Sequence, residues 1–129
     1  MTNILTLEQL LQLHALVIQL TGGDGGLRDL GRLESAIATQ TQHVFNNDLY
    51  PHVIDKAAAM IRSIIADHPF VDGNKRTAML AGLTVLELNS VTLHIDAGEI
   101  EDFAVKIATE QLDVPYISNW MYSHQINTP

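Results

Sequence analysis

A polar ten-residue segment, residues 68–77, separates the two most apolar stretches of the chain and constrains its fold more than any other feature. In the stretch before it, apolar side chains recur at helical spacing at Val53, Ala57, Met60, Ile61, Ile64 and Ile65. The stretch after it is apolar nearly all round, with Ala78, Leu80, Ala81, Leu83, Val85, Leu86 and Leu88. Pro69 cannot extend the first helix, and Gly73 permits a tight turn. The sequence therefore predicts two helices joined by a turn, with the second helix buried at the centre.

The N-terminal part of the chain is predicted to be helical as well. Thr6 and Gln9 form a capping-box pattern ahead of a helix that is expected to run to about Leu20. The glycine-rich residues 21–26 break this helix. Their glycines serve either as hinges of a lid over a site or as a plain long turn. Asp29 is expected to cap a short second helix.

A polar stretch between the second helix and the first apolar helix, residues 41–50, indicates a surface loop. Phe45 and Tyr50 are expected to attach this loop to the core, with an exposed role as the alternative. Pro51 is well placed at the start of the helix that follows.

After the second apolar helix, residues 91–95 alternate over too short a length for a sheet and predict an extended connector. Asp96 and Glu99 form an Asp-x-x-Glu capping pattern, and Asp113 with Pro115 predicts the start of a last helix. The aromatic and methionine stripe of that helix is more typical of packing than of a cofactor site. Residues 1–129 are thus predicted to form a single all-α helical bundle.

Composition narrows the classes of function. A net charge of −8 argues against non-specific nucleic-acid binding, which needs a basic face, and favours a basic partner. The chain has no cysteine, which excludes disulfides and thiolate chemistry. The sequence shows neither a signal-peptide pattern at its start nor an apolar run long enough to span a membrane. A soluble, cytoplasmic protein is expected.

The polar segment places two cations where a helix already carries positive charge. Lys75 and Arg76 fall in the first turn of the helix that follows Gly73. Unpaired backbone N–H groups and the helix dipole make this end positive, so the two cations cost about a few tenths of a kcal/mol each. A bound anion would turn this cost into a gain, which predicts a phosphate site.

The same segment contains groups that could move a proton and hold a metal. His68 could accept a proton near neutral pH, and Asp72 could hold Mg²⁺ or orient a nucleophile. Gly73 lets the backbone come close to a phosphate, and the Asn74 amide could donate to one. The alternative is a helix corner whose polar residues only cap and solvate it. His14, near the apolar face of the first helix, is interpreted as a packed histidine with one backbone hydrogen bond.

The string His68-Pro69-Phe70-Val71-Asp72-Gly73-Asn74-Lys75-Arg76 resembles the signature of the Fic/Doc superfamily, His-x-Phe-x-(Asp/Glu)-Gly-Asn-(Gly/Lys)-Arg. A lysine at position 75, with Thr77 two residues later, is typical of the short death-on-curing (Doc) toxins. Fic adenylyltransferases usually carry glycine in place of Lys75 and a second arginine where this chain has Met79. Phe70 is assigned to the core. The chain departs from the Doc pattern at Ala66, where an arginine is expected. The phosphate contact of that arginine is either missing or supplied by Arg62 or Arg28.

The resemblance implies a Fic/Doc-like bundle that binds ATP and Mg²⁺. It makes His68 the general base for a Ser or Thr hydroxyl, gives Asp72 the metal, and lets Lys75 and Arg76 neutralise the phosphates. Because lysine stands in place of glycine, it favours transfer of the γ-phosphate. A Ser/Thr protein kinase that acts on elongation factor Tu, arrests translation and is neutralised by an antitoxin is therefore expected. Two alternatives stay open: a Fic-type adenylyltransferase and a non-catalytic helical module that binds an antitoxin.

Overall fold

The computed structural model describes residues 2–126, and in that range it contains six α-helices and one small β-hairpin. The helices are α1 (Leu7–Thr21), α2 (Leu30–Ala38), α3 (Val53–Asp67), α4 (Asn74–Leu88), α5 (Ala97–Glu110) and α6 (Val114–Ser123). A 3-10 turn (Thr39–Thr41) follows α2, and the hairpin pairs β1 (His43–Val44) with β2 (Asn47–Asp48). The predicted all-α fold class is confirmed.

Local capping signals fix several helix ends where the sequence predicts them. Thr6 and Gln9 form the reciprocal capping box: the Gln9 N–H donates to Thr6 Oγ1 over 3.2 Å, and the Thr6 N–H donates to Gln9 Oε1 over 2.9 Å. The carboxylates of Asp29 and Asp113 accept hydrogen bonds from backbone N–H groups at the starts of α2 and α6. Asn89 follows α4 as its C-cap. These helices therefore begin or end for reasons that are local in sequence.

The core is built around α3 and α4, which lie against each other along their length. Gly82 of α4 permits this close approach, because a Cβ there would collide with the side chain of Ile61 on α3. α3 also contacts α2, α5 and α6, so it shares the centre of the bundle with the predicted central helix. The turn that joins α3 to α4 is thus carried by the two most deeply buried helices.

Residues 43–48 differ from the predicted irregular loop, because they form a hairpin. Its two turn residues, Phe45 and Asn46, have positive φ values of 50° and 66°, as a tight two-residue hairpin requires. Phe45 stands at the tip and is 93% exposed, so the expectation that it joins the core is wrong. Tyr50 is half-buried, which agrees with the expectation that it attaches this segment to the core.

The segment between α4 and α5 confirms one prediction and corrects another. Residues 91–95 form no strand, although Leu93 makes an isolated bridge with Gln125. Asp96 is the N-cap of α5, as predicted, but its side chain makes no capping bond, so the hydrogen bonds of the Asp-x-x-Glu pattern are not formed. Glu99 instead accepts a hydrogen bond from Nε2 of His124, over 3.0 Å. A longer-range partner has replaced the local one.

The aromatic and methionine stripe of α6 serves in packing, as predicted. Ile117 and Met121 are fully buried, and Trp120 stacks on Phe103 of α5 with ring centroids 4.0 Å apart.

Among the helices of residues 2–126, none combines the length and apolar character that crossing a bilayer would need.

Candidate active site

The turn between α3 and α4 opens into a cleft of about 610 Å³. His68, the carboxylate-bearing Asp72 and the first residues of α4 line one side of it. Residues 21–23, at the end of α1, and one face of α5 line the other sides. The face of α5 contributes Glu101, Ala104 and Val105. Three separate parts of the chain therefore meet around the predicted motif.

His68 is the C-cap of α3 and has a left-handed backbone, with φ 48° and ψ 61°. Its N–H donates to the carbonyl of Ile64 over 3.2 Å, which ends the helix. A non-glycine residue in this conformation costs roughly 1–2 kcal/mol. The exposed imidazole lines the cleft and has no hydrogen-bond partner within residues 2–126. It is therefore available to accept a proton from a bound group.

Asp72 is held at both its side chain and its main chain. Oδ2 accepts a hydrogen bond from the backbone N–H of Asp24 over 2.8 Å. The carbonyl oxygen of Asp72 lies 2.8 Å from Nε2 of His14. The other carboxylate oxygen, Oδ1, has no bond to residues 2–126. The carboxylate is fixed in the cleft with one oxygen still available.

The residues described contain no cluster of three or more His, Cys, Asp or Glu side chains that could hold a metal. Asp72 is the predicted metal ligand. Mg²⁺ commonly takes only one or two protein carboxylates and completes its shell with phosphate oxygens and water. A lone carboxylate can therefore hold Mg²⁺ where phosphate oxygens and water complete the shell, and the metal role of Asp72 stays a prediction.

Gly73 starts α4 with φ 81°, a left-handed conformation that glycine adopts without strain. A Cβ at this position would lie 3.2 Å from Cδ1 of Ile18 and 3.5 Å from Cγ1 of Val17. α1 thus packs directly on the turn. Glycine is required both for the backbone conformation and for this close approach.

Asn74 has a different role from the one predicted for its side chain. Its Oδ1 accepts the Phe70 N–H over 3.0 Å, and its Nδ2 donates to the Phe70 carbonyl over 2.9 Å. Asn74 is 7% exposed, and Phe70 is buried as predicted. The amide therefore ties the loop to α4 with its oxygen and one of its two N–H hydrogens, and phosphate donation by the other hydrogen stays a prediction. The backbone N–H of Asn74 is still unpaired within residues 2–126.

The first turn of α4 is positively charged, as predicted. The N–H groups of residues 74–76 have no acceptor in the described part of the chain, and no acidic residue stands in this turn. Lys75 lines the cleft without an ion pair to any described residue. Arg76 Nη2 lies 3.7 Å from Oε1 of Glu101, and both side chains are largely exposed. This end of the helix offers an anion three N–H groups and two cations.

The segment that precedes α2 is a second support of the motif turn. The carbonyl of Pro69 accepts the N–H of Arg28 over 2.8 Å, and the Val71 N–H donates to the carbonyl of Gly26 over 3.0 Å. These bonds form a short antiparallel pairing between two loops. No local pattern in residues 26–28 or 69–71 predicts this pairing.

Arg32 extends this support to the end of α3. Its Nη1 donates to the carbonyl of Asp67 over 2.9 Å. Neither Arg28 nor Arg62 lines the cleft, so neither replaces the arginine that the Doc pattern places at Ala66. The cations of the cleft are those of the α4 terminus.

Two walls of the cleft come from outside the motif, and the sequence offered a signal for only one of them. Gly22 and Gly23 line it, and Asp24 bonds to the motif carboxylate. The glycine-rich composition was the available signal for this wall, through its interpretation as a lid over a site. Glu101 on α5 carried no such signal, because its approach to Arg76 depends on how α5 packs.

Comparison with known proteins agrees with the motif. The model of the Fic/DOC family matches residues 4–86, more than half of the chain. "Toxin Doc" of Mycolicibacterium smegmatis is 40% identical over 99 residues, which cover 75% of this chain and 76% of that protein. "Protein kinase doc" of Escherichia phage P1 is 30% identical over 112 residues, 87% of each chain. The predicted resemblance to Doc-type proteins is confirmed, and this chain belongs to the Fic/DOC family.

Proposed function

We propose that the cleft binds ATP with Mg²⁺ and transfers the γ-phosphate to a Ser or Thr hydroxyl of a protein. The observation that carries this proposal is the start of α4, where unpaired N–H groups, Lys75 and Arg76 share one cleft with His68. The name of one relative, a protein kinase, supports the same reaction class, and the name of the other, a toxin, supports a role as a toxin.

The start of α4 suits the phosphates of a nucleotide. Helix N-termini bind phosphate because their N–H groups and dipole both favour negative charge. Lys75 and Arg76 add two cations, and no carboxylate of that turn competes with the anion. The cleft volume of about 610 Å³ lies within the range of roughly 300–1,000 Å³ that is usual for small-molecule sites.

Asp72 is the residue that would hold Mg²⁺. Its Oδ2 is oriented by the Asp24 N–H, and its Oδ1 has no bond to residues 2–126. When bound, Mg²⁺ supplies positive charge that neutralises the phosphate oxygens. The hydrogen bond from Asp24 orients the carboxylate that would ligate the ion, as is usual for groups behind a metal ligand.

His68 would act as the general base. Its imidazole takes the proton of the target hydroxyl while the hydroxyl oxygen forms a bond to the γ-phosphorus. The bond from that phosphorus to the bridging oxygen breaks, and ADP leaves. Lys75 and Arg76 offset the charge that spreads over the phosphate oxygens during transfer.

Two residues favour the γ-phosphate over the AMP moiety as the transferred group. By family resemblance, a glycine in place of Lys75 lets the inner phosphates lie against the helix, and lysine brings bulk and charge to that point. The second arginine of Fic adenylyltransferases is replaced by Met79, which is 2% exposed and packs in the core. Adenylylation is the second candidate reaction. An arginine at the position of Met79 would have favoured it.

We further propose the biological setting that the family resemblance suggests. The chain would act in the cytoplasm as a toxin, phosphorylate elongation factor Tu and arrest translation. A small antitoxin would neutralise it. Expression of the chain alone should then slow bacterial growth, and the His68→Ala variant should restore it.

Intact mass spectrometry of elongation factor Tu after incubation with the chain, ATP and Mg²⁺ tests the reaction. A gain of one phosphate is expected, with no gain for His68→Ala and an unchanged gain for Arg62→Ala, a cation outside the cleft. A gain of a whole AMP group would replace the kinase by an adenylyltransferase. No gain of mass would refute elongation factor Tu as the substrate. If the chain also failed to bind ATP, a non-catalytic module that binds an antitoxin would be the better account.

A further inference from the structure

His14 on α1 supports the motif turn from its buried side, although it is outside the motif. The residue is 3% exposed, and its ring stacks on that of Phe70 with centroids 3.7 Å apart and planes inclined by 6°. Its Nε2 lies 2.8 Å from the carbonyl oxygen of Asp72. Because a carbonyl oxygen can only accept, Nε2 carries the proton of this hydrogen bond.

The packing around this bond leaves the turn little room to move toward α1. A Cβ on Gly73 would lie 3.7 Å from Cδ2 of His14 and 3.2 Å from Cδ1 of Ile18. A separate bond, from the Val71 N–H to the Gly26 carbonyl, joins the turn to the segment before α2. The turn is therefore held by two different segments, and His14 supplies the polar bond from α1.

The bonded carbonyl belongs to the same residue as the carboxylate in the cleft. Rotation of the peptide between Asp72 and Gly73 would move that carboxylate and the start of α4 together. His14 holds the carbonyl, and the Asp24 N–H holds the carboxylate. We infer that His14 is a positioning residue: it orients the Asp72–Gly73 peptide, and through it the carboxylate of Asp72. This inference rests on the proposed function for its link to catalysis, since His14 itself does not line the cleft.

Two substitutions separate the ring of His14 from its hydrogen bond. His14→Phe keeps an aromatic ring against Phe70 but has no donor for the Asp72 carbonyl. His14→Gln loses the ring but places an amide N–H at a similar distance from the backbone. The matched control is Leu10→Val, which trims a fully buried side chain one turn earlier on α1, outside the cleft and its hydrogen bonds.

The first readout is the Mg²⁺ concentration that gives the half-maximal rate of phosphate transfer. We expect it to rise about tenfold for His14→Phe, the scale at which groups behind a metal ligand act. It should return close to the wild-type value for His14→Gln and stay unchanged for Leu10→Val. A partly unfolded variant would lower the rate but leave this concentration unchanged. Equal shifts in the Phe and Gln variants, or no shift in either, would overturn the inference.

The second readout needs no activity. Hydrogen exchange of peptides that cover residues 70–77, in the nucleotide-free protein, should become faster in His14→Phe than in Leu10→Val and be restored in His14→Gln. Unchanged exchange in His14→Phe would overturn the positioning role whatever the activity. If the wild-type chain transfers no phosphate but exchange responds as expected, the proposed function fails and the positioning of the turn stands.

Discussion

The segments on either side of α3 each contain a non-glycine residue in the left-handed conformation, His68 directly after the helix and Phe45 in the hairpin that precedes it, but the chain around them is arranged differently. At the C-terminal end, His68 has φ 48° and the following residues are bonded to α1 and to the segment before α2. At the N-terminal end, the hairpin bearing Phe45 with φ 50° projects from the surface. Lys56 of α3 contacts this hairpin, because its Nζ lies 3.4 Å from the carboxylate of Asp48. The same Nζ donates to the Gln40 carbonyl over 2.7 Å.

The difference shows what marks a site in this molecule. A strained backbone residue occurs at both ends, so strain by itself distinguishes neither. At the His68 end, bonds from distant parts of the chain converge on one short turn, and Lys75 and the N–H groups of residues 74–76 have no partner within residues 2–126. At the Phe45 end, the two-residue turn explains the left-handed residues without any further function. The turn after α3 is distinguished because several distant segments support it while some of its polar groups have no partner within residues 2–126.

Substitution at the two ends should give the largest contrast. His68→Ala removes the proposed base and should lower the rate of phosphate transfer by about 10²–10⁴-fold, with ATP binding retained. Phe45→Ala changes a side chain that is 93% exposed and should leave the rate within about twofold of wild type. Steady-state kinetics with calorimetric ATP titrations check both. A fully active His68→Ala variant would contradict the proposed role of His68.

The cations at the start of α4 should matter for binding and not for folding. Lys75→Ala or Arg76→Ala should each weaken ATP binding by about 1.5–3 kcal/mol, the scale of a hydrogen bond to a charged group. In the nucleotide-free protein each should raise the free energy of unfolding by about a few tenths of a kcal/mol, because the repulsion from the helix dipole is relieved. Arg62→Ala is the control for loss of positive charge. A loss of more than about 1 kcal/mol in the nucleotide-free protein would make these side chains structural.

Glu101 gives a smaller and opposite effect. Its carboxylate lies 3.7 Å from Arg76 and faces the same cleft as the proposed phosphates. Glu101→Gln should strengthen ATP binding by at most about 1 kcal/mol, the size of such an interaction in water. The gain should shrink at high salt, where exposed charges are screened. Weaker binding by Glu101→Gln would show that this carboxylate helps to hold the nucleotide.

The smallest expected effect lies away from both ends of α3, where His124 joins α6 to α5. Its Nδ1 lies 2.7 Å from the Trp120 carbonyl and its Nε2 lies 3.0 Å from Glu99, so both ring nitrogens meet an acceptor and the charged ring fits best. The hydrogen bond to the Trp120 carbonyl, and then Glu99, raises the pKa of His124 above 6.5.

This raised pKa makes the contribution of His124 to stability depend on pH. The stabilisation is fully present below the unfolded pKa of about 6.5 and is lost as pH rises through the higher folded pKa. His124→Gln should therefore cost about 0.5 kcal/mol at pH 6 and less at pH 9. Urea denaturation of wild type and variant at both pH values measures this. An equal cost at the two pH values would show that the charge of His124 is not what stabilises the contact.

Local signals predicted most of the fold, and tertiary contacts explain the failures. The capping box at Thr6 and the turn at Gly73 depend on residues a few positions apart, so the sequence shows them directly. Phe45 was assigned to the core from its hydrophobicity, but the turn geometry it shares with Asn46 places it outside. Glu99 left its predicted capping role for His124, which is 25 residues away.

The candidate site divides in the same way. The positions of His68, Lys75 and Arg76 follow from the helix–turn–helix pattern and could be predicted. The interpretation of His14 as a packed histidine with one backbone bond is confirmed, but its acceptor at Asp72 lies 58 residues away and leaves no pattern in the sequence. The α5 wall of the cleft, beyond the matched family region, likewise becomes visible only when the helices are packed.

The start of α4 is proposed to be the binding site for the phosphates of ATP. Calorimetric titration of the wild-type chain with ATP and Mg²⁺ tests it most directly, with the double variant Lys75→Ala/Arg76→Ala as the comparison. We predict saturable binding of one ATP per chain at or below millimolar concentration, and much weaker binding by the double variant. No heat of binding from the wild-type chain at millimolar ATP, or equal binding by both proteins, would contradict it.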